Sequence, residues 1–450
     1  MLNTGDTIAA LATPPGKGGV GIIRVSGPLA SSIATQIIGH CPAPRYAEYR
    51  PFVDRDGQVI DQGLALFFQN PHSFTGEDVL ELQGHGGQII MDLLLARVLE
   101  LGARLATAGE FSRRAFLNNK MDLAQAEAVA DLINASTVEA AQSAMKSLRG
   151  EFSQQIQVLV DEAIYLRMYV ESAIDFPEEE IDFLSDGVIE AKAEKLLQQL
   201  DQVLALARQG ALLQEGMNLV ILGQPNAGKS RLLNALAQKN SAIVTNIPGT
   251  TRDVLREQIQ LDGMPLNIAD TAGLRDSGDA VEQEGVRRAW LEVEKADRVL
   301  LLVDDALGWN QAYADILSQL PPDKGVTVVF NKIDISGGSQ ERPLFSGLPA
   351  LGISADQGLG MDKLKAHLKQ VMGFSGAGDG VFMARRRHIT CLENARSCIE
   401  RGLIALKTAA AGEILAEELR LAQQQFNQIT GEFDNEDLLG RIFSSFCIGK

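Results

Sequence analysis

The chain has 450 residues, with 41 Lys and Arg against 58 Asp and Glu, a net charge of −17 and a pI near 4.8. That balance excludes a protein that coats nucleic acid or anionic membrane by charge alone, so an RNA partner has to meet a local basic patch or another subunit. Apolar residues at 45% and charged ones at 22% exclude wholesale disorder. Cys41, Cys391, Cys398 and Cys447 form no CxxC pair and no zinc spacing. The first ten residues lack a basic leader, and no apolar run approaches the ~18 residues of a membrane span. A soluble, cytoplasmic chain with no membrane partner is expected.

At roughly 150 residues per domain, two or three domains are expected. From Thr7 to about Phe116, short β-leaning runs (Val20–Val25, Leu64–Phe68, Val79–Leu82) alternate with Gly and Pro, and one helix is predicted near Ile89–Leu101. From about Asp122 to Gln209 the pattern is helical, with Ile189, Leu196, Leu197, Leu200, Val203 and Leu204 at i, i+3, i+4 spacing. Near-continuous apolar runs follow at Leu219–Leu222, Leu266–Ala269, Val299–Val303 and Val326–Phe330, as buried parallel strands require. Helical pattern returns at about Ala384–Ala409, Ile414–Ile429 and Glu436–Phe446, after a Gly/Ser-containing stretch at Gly373–Gly380. The expected fold is multidomain: an α+β N-terminal domain (1–118), an all-α helical domain in two parts (119–214 and 374–450), and an inserted α/β P-loop domain (215–373).

Gly223-Gln224-Pro225-Asn226-Ala227-Gly228-Lys229-Ser230 matches G-x-x-x-x-G-K-[ST] between a strand and a helix. Its backbone N–H groups would cradle phosphates, Lys229 would reach the β- and γ-phosphates, and Ser230 would ligate Mg²⁺. Asp270-Thr271-Ala272-Gly273 ends a strand, where a carboxylate meets the Mg²⁺ water shell and a Gly amide meets the γ-phosphate. Asn331-Lys332-Ile333-Asp334 ends another. Asp334 can accept from guanine N1–H and the 2-amino group, donors that adenine lacks. Ser354-Ala355, followed by Asp356, can offer an amide to the guanine carbonyl. The ordered set reads as a GTP-binding domain. In the segment Asn240–Asp253, Thr251 is the expected Mg²⁺-ligating switch residue, and Arg252 is a weaker candidate for a catalytic cation. Leu274 stands where Ras-like GTPases orient water with Gln. Arg275, Glu282 and Glu284 are the candidates to replace it.

Thr245-Asn246-Ile247-Pro248-Gly249-Thr250-Thr251-Arg252-Asp253, the P-loop, the DTAGL run and the terminal Phe446-Cys447-Ile448-Gly449-Lys450 together resemble the MnmE (TrmE) family of tRNA-modification GTPases. So do Ser73–Asp78 through Gln83–Gly87 and Leu123–Ala128, and the resemblance covers essentially the whole chain. It implies an N-terminal domain that dimerises and binds 5-formyl- or methylene-tetrahydrofolate. It also implies a flavoprotein partner, MnmG (GidA), which carries FAD, and tRNA modified at C5 of the wobble uridine. It further implies a K⁺ in place of an arginine finger, held by Asn226, Thr245, Ile247 and Thr250, with G-domain dimerisation completing the site. Glu282 is implied as the general base, beside Lys229 and Asp270, and the nucleotide contacts extend over Asn226–Arg231 and Thr245–Thr251. The folate residues carried over are Arg24, Glu81, Lys120 and Lys450. Arg231 departs from the small residue usual there.

Pro14-Pro15-Gly16-Lys17-Gly18-Gly19 lacks the P-loop spacing and is read as a turn feeding a strand. His85 is read as structural. Arg385-Arg386-Arg387-His388 is open between tRNA phosphate, the acidic run Glu178–Glu180 and solvent. Cys391 and Cys398 are read as core thiols, and Cys447 as a candidate functional thiol. The rival functions are a ribosome-assembly GTPase of the Era and Der type and a nucleotide-switched scaffold.

Overall fold

The computed structural model describes residues 5–175, 187–238, 256–270, 290–322, 324–374, 378, 380–432, 436–444, 446, 447 and 449. The chain divides into two compact units, residues 1–130 with 423–450, and residues 131–422.

In the first unit, β1 (Ile8–Leu11), β2 (Gly18–Ser26), β3 (Glu48–Val53), β4 (Val59–Phe68), β5 (Val79–Gly86) and β6 (Arg104–Leu105) form one sheet in the order β3-β4-β5-β2-β1-β6. Helices α1 (Ala30–Ile38) and α2 (Gln88–Glu100) cover one face, where Ile23, Val25, Leu80, Leu82, Ile33, Leu94 and Val98 form the core. The strands alternate accordingly: Asp61, Gly63, Ala65 and Phe67 of β4 point inward, while Gln62 and Leu64 are exposed. Pro14–Lys17 is a turn leading into β2, as expected. Of the expected elements, Val20–Val25, Leu64–Phe68, Val79–Leu82 and the Ile89–Leu101 helix are present with longer or shifted ends; β1, β3, β6, α1 and a helix over Glu110–Leu117 are additional.

Helix α3 (Glu110–Leu117) carries the charged centre of this unit. The buried Arg114 donates to Asp6 (2.5 Å), to Glu77 (3.1 Å) and to Glu110 (3.1 Å), and Arg104 donates to Glu110 (2.6 Å) and Asp6 (2.6 Å). Glu77 also accepts from Ser26, which pairs with buried Thr75. Burial pushes the Glu110 carboxyl up, but the Arg104 bonds, the Thr107 amide and Arg114 outweigh it and hold the group down to about 2. Helix α4 (Leu123–Asn134) follows, and Leu123, Ala126 and Ala130 pack with Phe116 and with Leu439, Ile442, Phe443 and Phe446 from the C-terminal segment. Gly109 has φ +65°, and a Cβ there would lie 2.6 Å from the Phe443 carbonyl, so the C-terminal helix needs glycine beneath it.

The second unit opens with α5 (Val138–Leu148), α6 (Glu151–Asp175) and α7 (Val188–Glu215). Thr137 caps α5 by accepting from Ala140 N–H. On α7, Ile189, Ala193, Leu196, Leu200, Val203, Leu204 and Ala207 are buried at helical spacing. At Gly210 a Cβ would sit 1.9 Å from the Phe382 carbonyl, so only glycine lets α7 approach that segment. After α7 come β7 (Met217–Gly223), α8 (Lys229–Gln238), β8 (Arg256–Leu261), β9 (Met264–Asp270), β10 (Arg298–Asp304), α9 (Gln311–Gln319), β11 (Gly325–Asn331), α10 (Ile333–Ser336), β12 (Glu341–Phe345), β13 (Leu348–Ile353) and α11 (Met361–Val371). The sheet order is β12-β13-β11-β10-β7-β9-β8, with β9, β7, β10, β11 and β13 parallel. Helices α12 (Arg386–Ala409) and α13 (Gly412–Thr430) return to the helical layer, and α14 (Glu436–Ser444) belongs to the first unit. Cys391 and Cys398 are buried on α12, as expected of core thiols. No helix among the described residues is long and apolar enough to cross a membrane.

The Glu110 carboxyl titrates near 4.5 in the unfolded chain and near 2 when folded. Its contribution is therefore complete above pH 4.5 and is lost as pH falls toward 2. Glu110→Gln should cost about 3–5 kcal/mol at neutral pH by stranding Arg104 and Arg114. It should also flatten the acid limb of stability, measured by urea titration from pH 2 to 7. An unchanged acid limb in the variant would remove Glu110 as its source.

Candidate nucleotide site

A doubly wound sheet binds ligands beyond the carboxyl ends of its parallel strands, where the strand order reverses. Here that point is β7, flanked by β9 on one side and β10 on the other. The loop after β7 is the phosphate loop. Gly223, at φ +156°, lies so close to β10 that a Cβ would be 2.4 Å from the Leu302 carbonyl; a Cβ on Gly228, at φ +99°, would be 2.3 Å from Asn331 Nδ2. Asn226 takes the left-handed conformation at φ +65°. Lys229 Nζ donates to the carbonyls of Gly223 (2.8 Å) and Gln224 (3.2 Å), which spans the ammonium across the loop. Lys229 and Ser230 open α8, where the positive end of the helix dipole favours an anion.

The base end is assembled around Asn331, the last residue of β11 and almost wholly buried. Its Nδ2 donates to the Ala227 carbonyl in the phosphate loop at 2.8 Å, and its Oδ1 accepts from Ala355 N–H at 3.0 Å. One amide thus ties the phosphate loop to the loop after β13. Lys332, at φ +68°, pairs with Asp304 at the end of β10 (2.5 Å). Ile333 is buried and Asp334 exposed, with no bonded partner for its carboxylate among the described residues. Buried Ser354 donates its N–H to the Leu359 carbonyl and accepts from Gln357 N–H, closing the turn that presents Ala355. Arg231 pairs with Asp356 at 3.1 Å. Asn226–Arg231, Asn331–Asp334 and Ser354–Asp356 therefore converge at one sheet edge. Asp270 ends β9 opposite Ile221. Thr245–Thr251, Arg252, Thr271–Gly273, Arg275, Glu282 and Glu284 lie outside the described residues.

In the first unit, Arg24 on β2 and Glu81 on β5 stand opposite each other in register and pair at 2.9 Å. Arg24 also donates to the Gly449 carbonyl (3.3 Å) and lies 6.0 Å from the Phe74 ring and 5.8 Å from Phe111. Gly449, at φ +99°, is seated against Leu11, whose carbonyl a Cβ would approach to 2.3 Å. Gly449 therefore lies beside Arg24, and Cys447 is exposed. Lys120 donates instead to the Pro71 carbonyl (2.9 Å), on the loop that also carries Phe74. Lys450 lies outside the described residues. His85 is bonded through Nδ1 to Asp61 (2.7 Å), a sheltered carboxylate that also accepts the His85 N–H. Arg385 pairs with Asp131 and Arg386 with Glu215. Sequence reasoning missed Asp304 and the double role of Asn331. The carboxylate closing the apolar run Val299–Val303 was the available signal for Asp304.

These strand-end loops define a P-loop GTPase. Family models match the chain twice: "GTP-binding protein TrmE N-terminus" over residues 7–120 and "MnmE helical domain" over residues 123–447. A protein of Chromohalobacter salexigens named tRNA modification GTPase MnmE is 60% identical over 99% of this chain and 98% of its own. Its namesakes in Hydrogenovibrio crunogenus (58%; 100% and 99% covered) and Vibrio cholerae (59%; 99% and 100% covered) are similarly close. The chain belongs to the MnmE family of tRNA-modification GTPases, and GTPases of this fold take their nucleotide with Mg²⁺.

Asn331→Ala removes both bonds between the phosphate and base loops. It should raise the Kd for GDP and GTP at least about tenfold, as expected for two buried hydrogen bonds, with little change in far-UV circular dichroism. Wild-type affinity in the variant would show that the loops hold their register without it.

Proposed function

We propose that this chain hydrolyses GTP within the modification of tRNA wobble uridine (U34). In this reading it works as a homodimer with the flavoprotein MnmG (GidA) to install a carboxymethylaminomethyl-type group at C5. The observation that carries the reading is 58–60% identity, across nearly the whole chain, to proteins named tRNA modification GTPase MnmE. Residues 1–118 then serve as the folate and dimerisation module, 119–214 with 374–450 as the helical module, and 215–373 as the GTPase module.

Asp334 and Ala355 select guanine, Lys229 binds the β- and γ-phosphates, and Ser230, Thr251 and Asp270 hold Mg²⁺ or its waters. Asn226, Thr245, Ile247 and Thr250, the K⁺ residues that the resemblance implies, have only oxygen donors to offer, the kind that replaces a K⁺ hydration shell. These cations, when bound, offset negative charge developing on the phosphate oxygens. Glu282 orients and deprotonates water in place of the Gln that Leu274 displaces, with Glu284 its neighbour and alternative.

The reduced pterin of a folate presents an N–H and a 2-amino donor like those of guanine. Glu81, partly buried and braced by Arg24, is a carboxylate suited to that edge. Lys120 and Lys450 supply cations for the folate's anionic tail, and the exposed Cys447 is a candidate thiol.

GTP hydrolysis should run at least about tenfold faster in KCl than in NaCl of equal ionic strength, and Asn226→Ala should abolish the difference. Equal wild-type rates in the two salts would contradict the cation assignment and leave GTP binding untouched.

A further inference from the structure

The ion pair between Arg231 and Asp356 joins the two ends of the nucleotide site. Both side chains are about two-thirds exposed, 68% and 63%. Such a pair contributes less than about 1 kcal/mol to folding, so stability does not account for an arginine at this place. Arg231 is the third residue of α8, directly after Ser230. Because Cα–Cβ bonds in a helix tilt toward its N-terminus, the side chain leaves α8 on the phosphate side. Asp356 follows Ala355, whose amide is held by Asn331. A guanidinium reaching from the first turn of α8 to the base loop spans the part of the site between phosphate loop and base. A nucleotide with its β- and γ-phosphates in the loop and its base at the Asn331–Asp334 end would set its ribose and α-phosphate in that part.

We propose that Arg231 is a phosphate-positioning arm that Asp356 holds in reserve. On nucleotide entry the guanidinium exchanges the Asp356 carboxylate for the α-phosphate. Phosphate offers Arg two parallel N–H···O bonds at a helix N-terminus that already favours an anion. The released Asp356 carboxylate is returned to water at little cost, because it is exposed from the start. No bond is made or broken; the arm adds affinity for any guanine nucleotide carrying an α-phosphate and none for the nucleoside. It goes beyond the proposed role in tRNA modification and depends only on nucleotide binding.

Displacement of a fluorescent GDP from the full-length chain by GDP, GMP and guanosine tests this. Arg231→Ser should weaken GDP and GMP about fivefold and leave guanosine unchanged, and Arg231→Lys should recover part of the loss. Asp356→Asn, which frees the arm, should tighten GDP and GMP by a similar factor. The double variant should match Arg231→Ser alone. Two outcomes would overturn the proposal by making the pair a strap between loops: equal weakening by both single substitutions, or a loss for guanosine as large as that for GMP. Unchanged affinities throughout would overturn it by making the pair a solvated contact.

Discussion

The side-chain amide of Asn331 is the contact on which the nucleotide site depends. Parallel strands deliver loops to one sheet edge, but each loop is anchored only at its own strand. Nδ2 of Asn331 on the Ala227 carbonyl and Oδ1 under the Ala355 amide fix the distance between the phosphate-binding and base-binding loops. Gly228 has to lack a side chain for that amide to pass, since a Cβ would fall 2.3 Å from Nδ2. The G-K-S run and the N-K-x-D run are thus one packing unit. Lys332 extends the arrangement sideways to Asp304, so the ends of β7, β10, β11 and β13 are linked by side chains as well as by the sheet.

The first unit solves a different problem. Helices α1 and α2 cover one face of its sheet, Phe111 of α3 packs on Ile8 and Ala10 from the other, and a charged cluster orders the surroundings of α3. Arg104 and Arg114 share Asp6 and Glu110, with Glu77 and the Ser26–Thr75 pair attached. Such a cluster is costly to desolvate and holds only while every member is present. It positions the loop carrying Thr75 and Phe74, and that loop borders Arg24. The C-terminal tail closes against the same region through Gly109 and Gly449, two glycines that the backbone contact makes obligatory. Residues more than four hundred apart in sequence, Arg24 and Gly449, thereby meet.

Much of this was legible in the sequence where one physical signal dominated. The buried parallel strands are continuous apolar runs, and the phosphate loop has few alternative readings. The long helices repeat their apolar residues at helical spacing. Edge elements were not legible, because solvent replaces the apolar signal there. β12 carries Glu341 and Arg342, and β3 exposes Tyr49, Arg50 and Pro51. The β8–β9 hairpin was readable and missed: Asp262-Gly263, at φ +47° and +91°, is a two-residue turn flanked by alternating apolar residues. Pairings such as Arg114 with Asp6 and Glu77, or Arg385 with Asp131, depend on tertiary register that no local pattern encodes. The same holds for Lys120, which meets the Pro71 carbonyl while Arg24 and Glu81 pair with each other.

The central claim joins GTP turnover to tRNA chemistry. Its most direct test is mass spectrometry of total tRNA nucleosides from cells with and without this gene. The account predicts loss of the C5-modified wobble uridine on deletion, restored by the wild-type gene and not by an Asp270→Ala version. An unchanged nucleoside profile on deletion would contradict it, leaving a GTPase whose work lies elsewhere.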